Sequence, residues 1–325
     1  VRGLKAITLD DVREFHKRYH TREALTLGMA GGFEPAVASQ VESSLAPLPR
    51  GVRMLPPIGP LTVRPGLDVT IVAKPAEAAI SIGFPIDVTR HDDDFHALAV
   101  ANSYLGEHRT FNGKLMQDLR GKRGLNYGDY SYIEDFIQEG MSTFPVPNNP
   151  RRQQYFSIWV RPVPRDKAVF ALRAALWELD RLALEGMSPA DFEATRSFLL
   201  NYSKLWVQTL ARRLGYAIDG GFHGRKDLVT ELAERLPRLT AQEVNAAVRK
   251  HLKSAGMKVA IVAQNAEELR DILTFGKPSP ITYDTQGTPE NILAEAKQIA
   301  VFPLKNVTVK IVPVERMFEG SGLAD

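Results

Sequence analysis

Apolar residues recur along the chain at alternating helical and strand spacings. Thr8 with Asp11 three residues on is a capping-box pattern, and Val12, Phe15, His16 and Tyr19 then fall on one helical face. Residues 24–30 predict a short buried strand ending at Gly31-Gly32. Residues 36–48 predict a helix, which Pro47 and Pro49 stop. The same order returns late in the chain. Thr240 pairs with Glu243, Val244 and Val248 lie on the following helix, residues 257–263 read as a strand, and 266–273 as a helix. An ungapped offset of 232 residues matches Thr8 to Thr240, Val12 to Val244, Leu27 to Val259 and Ala30 to Val262. Cap, helix, strand, helix is a generic order. As a repeat it implies one full copy preceded by the tail of another, so the chain reads as a fragment of a longer protein.

Between the copies, residues 50–65 hold Pro56, Pro57, Pro60 and Pro65 with Gly51 and Gly59, a composition suited to an extended linker. The full copy begins with strands over 69–73 and 78–85. His91-Asp-Asp-Asp94 places acid at a helix start, and Phe95, Leu98, Ala99, Asn102 and Leu105 form that helix's face. A helix over 111–121, a β-like run over 126–133 with Tyr127, Tyr130 and Tyr132, and a polar Pro-rich loop over 140–150 follow. Residues 155–161 alternate, with Phe156, Ile158 and Val160 on one face and Tyr155, Ser157 and Trp159 on the other. Helices are predicted over 166–184, from the Ser188-Pro189 start to about residue 210, and over 225–236. Few strands separated by long helices give an α+β or α/β layer fold. The organisation is then a first-unit tail over 1–50, a linker over 51–65 and a second unit over 66–325.

Composition narrows the function classes. The chain has 325 residues, 44% hydrophobic and 24% charged, which is ordinary for a globular protein. It has no cysteine, which excludes disulfides, Cys-ligated zinc, iron–sulfur clusters and thiol nucleophiles. Its 41 basic and 38 acidic residues are interspersed, so there is no electrostatic footprint for nucleic acid. The longest run free of Asp, Glu, Lys and Arg covers 12 residues, 95–106, too short for a membrane span of about 20. Val1-Arg2-Gly3-Leu4 carries neither an initiator Met nor a signal-peptide core.

Several residues invite chemical readings. His16 and His20 share a helix face at the spacing of a zinc pair, but Lys17 stands where a zinc peptidase helix needs its Glu. Two ordinary histidines at a helix end is the better reading. His91 and His96 are five apart and off one face, His223 and His251 have no partner by spacing, and His-x-x-Glu-His occurs nowhere. Gly28, Gly31 and Gly32 do not form a phosphate-binding turn, since Phe33-Glu34 puts an anion where a pyrophosphate belongs. Arg120, Lys122 and Arg123 suit a helix C-terminus. Within Leu119-Arg-Gly-Lys-Arg-Gly-Leu-Asn-Tyr127, Gly121 or Gly124 can end the helix and turn the chain into a strand bearing Tyr127. Arg120 and Tyr127 could then face one cleft and hold a carbonyl oxygen. On the residues alone, a dipole-complementing Arg and a half-buried strand Tyr account for the pattern more simply.

The stretch Phe111-Asn-Gly-Lys-Leu-Met-Gln-Asp-Leu-Arg120, followed by Arg123-Gly-Leu-Asn-Tyr127, resembles the pitrilysin/insulinase family of inverted zinc metallopeptidases, relatives of the mitochondrial processing peptidases. Leu184-Glu-Gly-Met-Ser-Pro-Ala-Asp-Phe-Glu193 is similar to that family's later helix–turn–helix. The resemblance implies tandem homologous α+β domains, each a mostly antiparallel mixed sheet covered by helices. The first, only partly present here, usually carries His-x-x-Glu-His, and the second carries an Arg/Tyr pair seven residues apart. It implies that Arg120 and Tyr127, with Asn126 beside them, bind the substrate backbone near the scissile bond and stabilise its tetrahedral intermediate in a closed chamber. It implies a peptide substrate, no metal in this chain, and zinc in a partner domain or subunit of the same family, in a hetero- or homodimer. Family habit favours the periplasm. The expected function is a substrate-clamping, non-zinc-binding component of a peptidase. The alternatives are a catalytically inactive structural or peptide-binding member, and a fragment of a full zinc peptidase whose motif precedes this chain.

Overall fold

The computed structural model describes residues 2–55, 58–59, 62–107, 113–136, 144–253, 256–283 and 287–318. In chain order the elements are α1 (Arg2–Ala6), α2 (Leu9–Tyr19), α3 (Pro35–Leu45), β1 (Leu67–Ala73), β2 (Ala78–Ile86), α4 (Asp94–Leu105), β3 (Asp129–Tyr132) and β4 (Gln154–Val163). There follow α5 (Ala168–Glu185), α6 (Pro189–Tyr202), α7 (Leu210–His223), α8 (Leu228–Arg235), α9 (Ala241–His251), β5 (Met257–Ala263), α10 (Ala266–Thr274), α11 (Glu290–Ala300) and β6 (Val307–Pro313). The fold is α+β, as expected.

The six strands form one mixed sheet in the order β3-β4-β2-β5-β1-β6. β1 runs parallel to β5 and β6, whereas β2 is antiparallel to β4 and β5, and β3 to β4. Strand alternation sorts the side chains onto two faces. Ile71, Ile80, Ile82, Phe156, Ile158, Val259 and Ile261 are buried on one face, against a helical layer that includes α4, α5 and α9. Each such side chain is worth ~1.5–3 kcal/mol when buried. The alternation anticipated over 155–161 is present, with Phe156, Ile158 and Val160 inward. Among the described residues no helical layer covers the opposite face, where Ser81 and Ala260 are exposed and Thr70 is half-buried.

Both capping boxes form. The Thr8 backbone N–H donates to Asp11 Oδ2 at 2.7 Å, and that of Thr240 donates to Glu243 Oε2 at 2.8 Å. The helices they open, α2 and α9, are each 11 residues long and keep the sequence offset. Their surroundings differ. Val244, Ala247 and Val248 of α9 are buried, whereas Val12 and Phe15 at the matching places in α2 are 54% and 56% exposed.

Other expectations need correction. Residues 24–30 form no strand: Arg22–Ala24 is a 3₁₀ turn, and the rest lies outside the sheet, with Leu25 and Leu27 exposed. An extended run becomes a strand only beside a partner, and none flanks it among the described residues. The helix expected to reach residue 210 ends at Tyr202, passes through a 3₁₀ turn over Ser203–Val207, and restarts as α7 behind the Thr209 cap. Helix α7 was not anticipated, because Gly215, Gly220 and Gly221 weaken a helical signal. Two of these glycines serve packing: a Cβ on Gly215 would stand 2.8 Å from Pro147, and one on Gly220 2.6 Å from the Lys226 carbonyl oxygen. α11 and β6 likewise lie beyond the expected elements. Of the helix expected over 111–121, residues 111–112 lie outside the described residues; so do 140–143 of the Pro-rich loop and 56–57 and 60–61 of the linker.

Candidate functional site

The segment before Tyr127 is helical, but not an ordinary α-helix. Met116–Gly121 is a π-helix, and the Lys122 N–H reaches back to the Gln117 carbonyl at 2.9 Å. Single π turns inside helices recur at functional sites. Gly124 closes the segment: at φ +61° it takes the left-handed conformation that favours glycine, and its N–H donates to the Arg120 carbonyl at 2.8 Å. Of the two glycines the sequence offers as the stop, Gly124 therefore makes the turn. Tyr127 does not sit in the strand; β3 begins two residues later, at Asp129. The Gly128 carbonyl accepts the Arg161 N–H at 2.8 Å, which fixes the approach to β3 against β4.

Arg120 and Tyr127 meet. The Arg120 guanidinium lies 4.4 Å from the Tyr127 ring centroid, and Tyr127 is 73% exposed. A cation over an aromatic face at this distance is attractive, and the guanidinium and the phenol both carry hydrogen-bond donors. Asn126 is buried below them, and its Nδ2 donates to the Gly128 carbonyl at 3.2 Å and to Asp129 Oδ1 at 2.6 Å.

Asp129 was not singled out in the sequence. It is fully buried, and burial pushes its pKa up to about 7, against the pull of the Asn126 hydrogen bond and the Arg120 charge. Its signal would have been an acid opening an aromatic strand; only the fold shows the acid pointing inward.

The basic run is fully employed. Lys122 pairs with Asp118, and Arg123, buried, pairs with Glu295 of α11 and donates to the Asp118 carbonyl at 2.8 Å. Beneath it, Glu178 of α5 is pushed up to about 8 by burial and then by the neighbouring Asp118. These contacts clamp the π-helix to α5 and α11. A second buried group gathers Arg90 between Glu134 at 2.8 Å and Asp219 at 3.1 Å. Near it, burial and the Glu134 charge push Glu107 up to about 8.

The histidines have structural partners. The His16 and His20 rings stack with centroids 4.8 Å apart. His91 Nδ1 lies 2.8 Å from the His223 carbonyl oxygen, and His251 Nε2 lies 2.7 Å from Asp94 Oδ2. Among the described residues no group of three or more His, Cys, Asp or Glu could hold a metal ion, so these residues do not fit a zinc site. Nor is any helix among them long and apolar enough to cross a membrane.

Comparison with known proteins gives consistent relatives. Residues 6–199 match the family model described as the peptidase M16 inactive domain. An uncharacterized zinc protease of Streptomyces coelicolor is 25% identical over 256 residues, which cover 76% of this chain and 51% of the relative. One of Mycobacterium tuberculosis is 23% identical over 271 residues, covering 82% and 58%. The chain thus spans about half the length of the curated relatives it matches. Among solved structures, a peptidase M16 inactive domain from Pseudomonas fluorescens superposes with a TM-score of 0.63 at 20% identity, over 79% of this chain and 57% of that one. The first half of the periplasmic protease PqqL from Escherichia coli gives 0.59 at 16% identity, over 94% and 62%. At these identities the structural likeness concerns the fold.

Proposed function

The chain belongs to the peptidase M16 inactive-domain family, and from that premise we propose that it is the substrate-clamping, non-zinc-binding part of a zinc-dependent peptidase acting on peptides or unfolded polypeptides. The observation that carries this reading is the Arg120–Tyr127 pair, stacked at 4.4 Å beside a π-helix whose Met116, Asp118 and Leu119 are buried. Arg120 offers several N–H donors and Tyr127 one O–H donor. Together they can hold a peptide carbonyl oxygen and keep donating as that oxygen gains negative charge, the interaction that favours a transition state over its ground state.

Asn126 fits the role of a floor for the pair: its amide nitrogen is committed to Gly128 and Asp129, so it holds the turn that presents Tyr127. Activation of water belongs to a zinc-bearing domain or subunit of the same family, outside these residues. That zinc lies on a preceding segment of the same polypeptide or on a partner subunit, and zinc content of the separate gene products distinguishes the two. The exposed Val12–Phe15 face supports residues 1–50 as the tail of a preceding domain, since the matching face of α9 is core.

The test is peptide turnover by the full assembly carrying Arg120→Ala or Tyr127→Phe. Removing one oxyanion donor costs on the order of 100-fold in rate. A loss of that size with an unchanged melting curve supports the clamp; unchanged turnover in both variants refutes it.

A further inference from the structure

The open face of the sheet has a graded chemistry. Strand register aligns Tyr130, Trp159, Ser81, Ala260, Thr70 and Lys310 in one row across all six strands. The row begins in an aromatic wall, passes over three small side chains and ends on a cation. The next row runs from Tyr132 over Ser157 and Gly83 to Lys258, then Asp68 and Thr308. The result is a trough of 1210 Å³ open to solvent.

Its aromatic wall is Trp159 with Tyr155. Buried rings back it: that of Tyr132 lies 5.4 Å from Trp159 and 4.2 Å from Phe136, centroid to centroid. Arg161 caps the wall, 4.7 Å from the Trp159 centroid. This wall adjoins the Arg120–Tyr127 pair, because the Tyr130 hydroxyl donates to the Tyr127 carbonyl at 3.4 Å. The far side is cationic. Arg64, Lys258 and Lys310 line it with one carboxylate, Asp68, which pairs with Lys258. Lys310 has no carboxylate partner among the described residues.

We propose that this trough is a specificity subsite for an extended polypeptide, taking a large apolar side chain against Trp159 and an acidic side chain on the Lys258–Lys310 side. The proposal rests on the clamp reading and adds the substrate class. Charge complementarity selects the occupant, since the trough holds more cations than anions and its small-residue floor lets a backbone lie close. Spacing follows from sheet geometry. Lys258 is two strands from Trp159 and Lys310 four, so the cations stand roughly 10–19 Å from the aromatic wall at about 4.8 Å per strand. An extended chain covers that in about three to six residues at roughly 3.3 Å each.

The test is fluorescence polarisation of labelled, unstructured 12-residue peptides with the full chain. One peptide carries Phe with Glu five residues on, the second has Lys in place of that Glu, and the third has Glu adjacent to Phe. The first is expected to bind at least tenfold more tightly than the others, with the margin shrinking at high salt and lost in Lys310→Glu. Equal binding of the three peptides, a preference that survives Lys310→Glu, or no binding of any peptide overturns the proposal. Arg120→Ala separates it from the clamp reading. Weaker binding of all peptides in Arg120→Ala without acid selectivity in the wild type defeats only the trough; acid-selective binding whose affinity is unchanged in both Arg120→Ala and Tyr127→Phe defeats only the clamp.

Discussion

Tyr127 offers a clean substitution because its ring is exposed and its partner is known. Tyr127→Phe keeps the ring over which Arg120 stacks and removes only the hydroxyl. Stability is expected to stay within about 0.5 kcal/mol, as for other surface changes, while turnover falls; thermal melts beside kinetics check both. Asp129 is the opposite case. An unfolded Asp titrates near 4, and burial holds this one near 7. The folded protein therefore retains a proton that the unfolded chain has lost. That contribution to stability is complete below about pH 4 and is lost as pH rises through about 7. Asp129→Asn, neutral at every pH, is expected to flatten the melting temperature over that window; a wild-type slope in the variant would contradict the assignment. The Arg120–Tyr127 spacing could be read from the sequence because both residues lie within one turn of chain. Asp129 could not, since its depth depends on β3 pairing with β4 from some 30 residues away.

At the scale of elements, local signals served where local chemistry decides. Thr8 with Asp11 and Thr240 with Glu243 announced two helices, and both caps form. Thr240→Ala is expected to cost about 1 kcal/mol, read as a lower denaturation midpoint with an unchanged slope. The π-helix was invisible, because its anchors are tertiary rather than local: Arg123 reaches Glu295 of α11, and Asp118 lies against Glu178 of α5. The strand expected over residues 24–30 failed for the converse reason: the composition is strand-like, and no partner strand flanks it among the described residues. Glu178 tests the π-helix anchor. Its folded pKa of about 8 lies above the usual Glu range, so it too stabilises at low pH and ceases to do so as pH rises through 8. Glu178→Gln keeps a hydrogen bond to Asp118 without the proton, and is expected to raise stability at pH 9 relative to wild type in chemical denaturation. A loss at pH 9 as large as at pH 5 would show that shape, not charge, matters there.

Across the whole molecule, two apolar or open surfaces stand out. One is the α2 face, which α9 buries in the matching copy; the other is the bare face of the sheet beside Arg120 and Tyr127. The α+β class and the two matching capped helices could be read in advance because periodicity and caps are local. The open trough could not, because its rows come from the register of six strands drawn from both ends of the sequence. Both surfaces fit a clamp that works against a second, zinc-bearing unit. The most direct measurement is hydrolysis of an unfolded polypeptide by this chain alone, by its zinc-bearing counterpart alone, and by the two together, with zinc content determined for each. The account predicts no cleavage and no stoichiometric zinc with this chain alone, full turnover together, and on the order of 100-fold less with Arg120→Ala. Cleavage by this chain alone with bound zinc, or full turnover by the counterpart without it, would contradict the account.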